Sequence, residues 1–105
     1  MPQVKHVVLV KLKPDVTDAQ VDEMMTALAG LKDKIPGLLD FSGGAYSSPE
    51  GLNKGFSHGF VMTFADEPSR DTYLPHPAHE EVKSIVFGLL DGGMDGVVAF
   101  DWLVT

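Results

Sequence analysis

The sequence predicts an α+β fold, an antiparallel four-stranded sheet with helices on one face, in the chain order β-α-β-β-α-β. Three observations predict it. Four segments alternate apolar side chains with period two, two stretches repeat them at helical spacing, and Pro, Gly and Asp mark the junctions.

The first strand runs from Val4 to Leu12, with His6, Val8, Val10 and Leu12 on one face and Val7, Leu9 and Lys11 on the other. Pro14 and Asp15 end it. Thr17-Asp-Ala-Gln20 is a capping box, in which two side chains satisfy otherwise free backbone N–H groups. It opens a helix in which Val21, Met24, Leu28, Leu31 and Ile35 recur at helical spacing, with Met25 beside them, until Pro36-Gly37 stops it. Leu38 to Tyr46 reads as the second strand, and Gly43-Gly44 within it predict a bulge or a close backbone approach. Residues 47–56 are loop by composition. His58 to Phe64 is the third strand. Asp66-Glu-Pro-Ser69 caps a short helix reaching Leu74, and a further helix follows Pro77 to about Leu90. Asp91-Gly-Gly-Met-Asp-Gly96 is a turn before the last strand, Val97 to Leu103. The order is that of the ferredoxin-like sandwich, read as one domain over residues 1–105.

A sheet covered by helices on one side needs only one apolar face. Here both are apolar. His58, Phe60, Met62 and Phe64 oppose Gly59, Val61 and Thr63, while Val98, Phe100 and Trp102 oppose Val97, Ala99 and Leu103. The helices cover one side, and a second copy of the same sheet is the simplest cover for the other. The expectation is a homodimer through the sheet face, burying Val7, Leu9, Val61, Val98 and Phe100.

The chain carries eight basic and fifteen acidic residues, a net charge of −7, with no basic stripe. Phosphate backbones and anionic lipid would repel it, so neither nucleic acid nor a membrane surface is an expected partner. The absence of cysteine removes disulfides, thiolate nucleophiles and Cys-ligated metals. Met1-Pro2-Gln3-Val4-Lys5-His6 leads directly into a strand pattern, so no signal peptide or membrane span is expected and the default location is cytoplasmic. The Gly-rich run 91–96 lacks a phosphate-cradling pattern, and His76 and His79 straddle a proline instead of sharing a helical face as paired metal ligands do. No cofactor and no metal are expected.

Tyr73-Leu-Pro-His-Pro-Ala-His79 sets one phenol and two imidazoles around two prolines. His76, before Pro77, should be extended and lie near the helix N-cap, which leaves His79 in the first turn. The partial positive charge there favours a neutral imidazole, able to accept a proton. Tyr73 and His79 form a candidate acid–base pair. The competing reading makes them satisfied polar groups closing a helix corner. His6 and His58 begin strands on the faces of Val8 and Phe60, which directs them toward the same pocket or makes them core-edge histidines bonded to backbone.

Val4-Lys-His-Val-Val-Leu9, Leu31-Lys-Asp-Lys-Ile-Pro-Gly37, Ser48-Pro-Glu-Gly-Leu-Asn-Lys-Gly55, Phe56-Ser-His58, Tyr73 to His79 and Val98-Ala-Phe-Asp101 together resemble the stress-responsive α/β-barrel (Dabb) family over nearly the whole chain. The resemblance implies a dimeric α+β barrel in which two sheets face one another. It also implies a comparison with the family's best understood plant member, a polyketide cyclase that closes a linear tetraketide by an aldol condensation. On that comparison Tyr73 and His79 take the acid–base positions, and His6, His58 and His76 fall on motif positions beside them. Met24 and Met25 stand where that cyclase has two tunnel-lining aromatics. With Leu28 and Phe60 they complete the expected substrate pocket, apolar and adaptable. The first functional reading is a cofactor-free, cyclase-like lyase acting on a small carbonyl compound. The second is a dimeric, stress-associated protein that binds a small apolar or carbonyl-containing ligand without turnover. A third, by fold analogy, is a cofactor-independent oxygenase.

Overall fold

The computed structural model describes residues 2–105; Met1, where the sequence reading begins, lies outside them. Strands β1 (Val4–Val10), β2 (Leu38–Ala45), β3 (His58–Phe64) and β4 (Val97–Leu103) form one sheet in the order β2-β3-β1-β4. Every neighbouring pair is antiparallel. Helices α1 (Asp18–Gly30), α2 (Glu67–Tyr73) and α3 (Pro77–Leu89) lie on one side of it. This is the ferredoxin-like sandwich that the sequence predicts.

The local chemistry explains most boundaries. The Thr17 hydroxyl accepts the Gln20 N–H at 3.2 Å and the Gln20 carboxamide oxygen accepts the Thr17 N–H at 2.9 Å, closing the capping box. The first helix falls short of the predicted Ile35. After Gly30 the chain tightens into a 3-10 turn at Leu31–Asp33, since glycine weakens the helix and Pro36 disfavours helical backbone before it. Strand β1 stops at Val10 instead of Leu12. The Lys11 N–H donates to the Gly96 carbonyl at 2.7 Å and its carbonyl accepts the Asp91 N–H at 2.8 Å, so this residue binds the turn before β4. Gly43 is a close approach and not a bulge: the irregularity in β2 falls between Leu38 and Asp40.

Sheet and helices share one core. Val4, His6, Val8 and Val10 of β1, with Phe60, Met62 and Phe64 of β3, are buried against Met24 and Leu28 of α1 and Val82 and Val86 of α3. The opposite face is left bare in the single chain. Phe100 is 65% exposed, Trp102 48% and Val98 42%, with Leu9 paired across from Val98.

A Cβ built at Gly96 would lie 2.5 Å from the Asp91 carbonyl oxygen and 3.2 Å from that of Lys11, both backbone atoms that move only with the turn. Gly96→Ala is therefore expected to destabilise the chain by about 1–3 kcal/mol, as overpacking does. Thermal unfolding would measure this, and an unchanged melting temperature would show a turn that yields freely.

Candidate active site

The corner between α2 and α3 builds the site. Tyr73 ends α2, and the N-cap residue His76 is extended (φ −63°, ψ 135°) as its proline neighbour requires. The His76 Nδ1 accepts the Ala78 N–H at 3.0 Å, so its ring is spent on capping. Pro77 opens α3, and two residues on His79 turns back over the corner. The Nδ1–H of His79 donates to the Leu74 carbonyl at 2.9 Å, which leaves Nε2 as the acceptor. The imidazole stacks on the Tyr73 ring, with centroids 4.1 Å apart and planes 28° apart.

Both rings line a cavity of about 350 Å³ between helices and sheet. Its floor is Val8, Phe60, Val97 and Ala99, its helical wall Leu28, Val86 and Phe87, and its mouth Leu74, Lys83 and Met94. Burial lowers the proton affinity of His79, and the Lys83 ammonium adds to that effect. Tyr73 is 1% exposed. Burial, then the negative charge of Asp101, holds its hydroxyl protonated far above the usual phenol range. The site thus pairs an unprotonated imidazole with a phenol fixed as a hydrogen-bond donor.

His6 enters the cavity from β1. Its ring stands edge-on to Tyr73, centroids 5.8 Å apart, and its Nδ1–H donates to Asp101 Oδ1 at 2.6 Å. The Arg70 guanidinium donates to the other carboxylate oxygen at 2.7 Å. This histidine is bonded to a carboxylate, not to backbone.

A family model described as "Stress responsive A/B Barrel Domain" matches residues 4–104. The chain belongs to that family. Two relatives align with the chain over most of their length. The chain is 35% identical over 88 residues to the stress-response A/B barrel domain-containing protein HS1 of Arabidopsis thaliana, covering 84% of this chain and 81% of that one. It is 30% identical over 76 residues to olivetolic acid cyclase of Cannabis sativa, covering 72% and 75%. Among solved structures, a dimeric ferredoxin-like protein from Jannaschia sp. CCS1 superposes with a TM-score of 0.87 at 27% identity, covering 97% of this chain and 99% of the other.

Within this Dabb domain, the structure brings together Tyr73, His79, His6, Leu28 and Phe60 of the residues that the sequence points to. It does not bring in the others. His6 pairs with Met62, whereas His58 pairs with Val10 four residues along β3, a separation of roughly 13 Å at the strand rise. His58 lines a separate concavity of about 460 Å³, beside Leu9 and Gly59 on the outer sheet face, with its Nδ1 2.9 Å from the Ser57 hydroxyl. Met24 is fully buried in the core, and Met25 packs over Gly43. Neither methionine reaches the cavity, because α1 presents Leu28, one turn further on, to it. Sequence reasoning passed over Asp101 and Arg70. A signal for Asp101 was there, since it shares the period-two face of Val97 and Ala99, where a carboxylate needs a partner. Among the described residues no three His, Asp or Glu side chains are grouped as a metal site would group them, and none of the helices is long and apolar enough to cross a membrane.

Proposed function

We propose that this Dabb protein is a cofactor-free, cyclase-like lyase that acts on a small carbonyl compound in the cavity under α3. The stack of Tyr73 and His79 at the cavity wall carries this reading. Nε2 of His79 takes a proton from a carbon α to a carbonyl, the C–H electron pair passes to the carbonyl oxygen, and the Tyr73 hydroxyl stabilises the enolate by donating to it. In a β-polyketone the enolate carbon then attacks a second carbonyl of the same molecule, forming the C–C bond and an alkoxide that regains a proton. Leu28, Phe60 and Val86 hold the chain folded and exclude water. The similarity to olivetolic acid cyclase supports this chemistry, because Tyr73 and His79 lie within a domain shared with a cyclase.

The direct test is incubation with a linear tetraketide, following ring closure by absorbance. Its pH profile has a definite expected shape. His79 must be neutral to accept a proton, and burial lowers its affinity, so the acidic limb should fall below the ordinary imidazole value of about 6.5. Tyr73 adds no alkaline limb below about pH 10, the ordinary phenol value, because its hydroxyl is held protonated. An acidic limb centred above the ordinary value would remove His79 as the base.

A non-catalytic, small-ligand-binding protein is the second reading. One observation favours it: both rings already have structural employment, Tyr73 against Phe64 at 5.0 Å and His79 on the Leu74 carbonyl. Retention of a β-diketone without turnover would select it. For either reading we propose a homodimer through the outer sheet face, supported by the bare Leu9, Val98, Phe100 and Trp102 and by the dimeric state of the Jannaschia protein.

A further inference from the structure

We propose that His6 is a second proton-transferring group of the cavity, with Asp101 fixing its tautomer and Arg70 acting as the positioning residue. The inference deepens the cyclase reading and rests on it for its chemistry, while its test needs no turnover.

Three side chains from three elements make one chain of hydrogen bonds across the helix–sheet boundary. His6 from β1 donates through Nδ1 to Asp101 Oδ1 of β4 at 2.6 Å, and Arg70 of α2 donates to Asp101 Oδ2 at 2.7 Å. Arg70 is itself steadied by its Nε–H donating to Asp71 at 2.8 Å, with Glu67 3.9 Å away. The Arg70 side chain is largely buried and its bond to Asp101 joins two charged groups, which makes it a strong one. A carboxylate can only accept, so Nδ1 of His6 carries a proton whenever this bond is made. The proton that His6 can exchange therefore sits on Nε2.

Nε2 faces the cavity. No fully buried side-chain nitrogen or oxygen among the described residues lacks a partner. The His6 Nε2 has none within the chain, and His6 lines the cavity wall. The charged and titratable groups around it are Asp101 on β4, Arg70 and Tyr73 on α2, and His79 and Lys83 on α3.

This supplies what the aldol step lacks. One base removes the α proton, and the attacked carbonyl must then gain one as it becomes an alkoxide. His79 performs the first transfer. When its Nε2 also carries a proton, His6 gives that proton to the new alkoxide and is left as neutral imidazole with Nδ1–H still on Asp101. The proton held on His79 returns through water to His6, so the turnover closes with no net proton change. A cavity with a phenol donor and two imidazole Nε2 atoms thus selects a substrate with two carbonyl oxygens, one for Tyr73 and one for His6. The class is a 1,3-dicarbonyl or longer β-polyketone.

The test is an NMR titration of the ¹⁵N-labelled full chain, with no ligand added. In the natural sequence, His6 is expected to show a low-field, slowly exchanging Nδ1–H proton throughout, with Nε2 alone changing protonation. Arg70→Met should abolish that low-field resonance through exchange, and Arg70→Lys should restore it. In Asp101→Asn, Arg70 holds the amide oxygen and turns the amide NH₂ toward His6, so the neutral ring should carry its proton on Nε2. A bare Nδ1 in the natural sequence, or a resonance untouched by Arg70→Met in a folded chain, would overturn the proposal. If Arg70→Met fails to fold, the Asp101→Asn tautomer decides the matter in the same way. Loss of the cyclase reading would appear elsewhere, as absence of ring closure when the natural sequence is incubated with a linear tetraketide.

Discussion

Replacing His79 with alanine is expected to abolish turnover of a linear β-polyketone while the chain stays folded. A positioned general base contributes roughly 10²–10⁴-fold to rate, and the other imidazole of the cavity, His6, stands edge-on to Tyr73 and is held by Asp101 instead of taking the His79 position. The structural loss is smaller. The ring is only partly buried, its Nδ1 bond is to a backbone carbonyl near the surface, and the stack on Tyr73 is worth about 0.5–1.5 kcal/mol. The two losses therefore separate: kcat/KM should collapse while the thermal midpoint moves by a few degrees. Tyr73→Phe removes only a hydroxyl and keeps the aromatic packing with Phe64 and His6. It should lower kcat by on the order of 10²-fold, as loss of an enolate-stabilising donor does. Full activity in either variant, measured by single-turnover absorbance, would remove that side chain from the mechanism.

Val98→Asp is expected to convert the protein to monomer. In the isolated chain Val98 is 42% exposed, so a carboxylate there would cost little. Placed against a second sheet it is an unpaired charge in an apolar contact, which costs several kcal/mol. Its partner across the β1–β4 pair, Leu9, would lie beside the same carboxylate. A stable dimer of this type should bury at least about 1,600 Å², enough for sedimentation to distinguish it at micromolar concentration. Phe100→Asp, the more exposed position, should act in the same direction and more strongly. A Val98→Asp dimer indistinguishable from the natural one would place the interface on another surface.

The two readings of Tyr73-Leu-Pro-His-Pro-Ala-His79 divide on what sequence can reach. Local rules were enough to place it. Proline fixed His76 as an extended cap, Pro77 began a helix, and His79 had to fall in the first turn. Period-two alternation likewise placed His6 on the inward face with Val8 and Val10. What sequence could not reach was position along the strands. His6 and His58 share an inward-leaning pattern, yet the antiparallel register sets them four residues apart along the β1–β3 pair, and register is a tertiary property. The methionines failed for a related reason. Met24 and Leu28 belong to one helical stripe with Met25 beside it, and which of them meets a cavity depends on how α1 seats against the sheet. The helix dipole suggests a neutral His79, and in the structure burial is the leading cause that lowers its proton affinity.

Asp101 stands between Phe100 and Trp102 on β4. Its carboxylate turns inward to His6, and its two neighbours turn outward to bare surface. One strand thus writes two messages in alternate letters. A single-residue insertion or deletion ahead of Val98 would transpose them, sending an aromatic into the cavity wall and an acid onto the apolar face. Chemistry and assembly in this chain therefore share one reading frame, and a length change in β4 would erase both at once where point changes remove them singly.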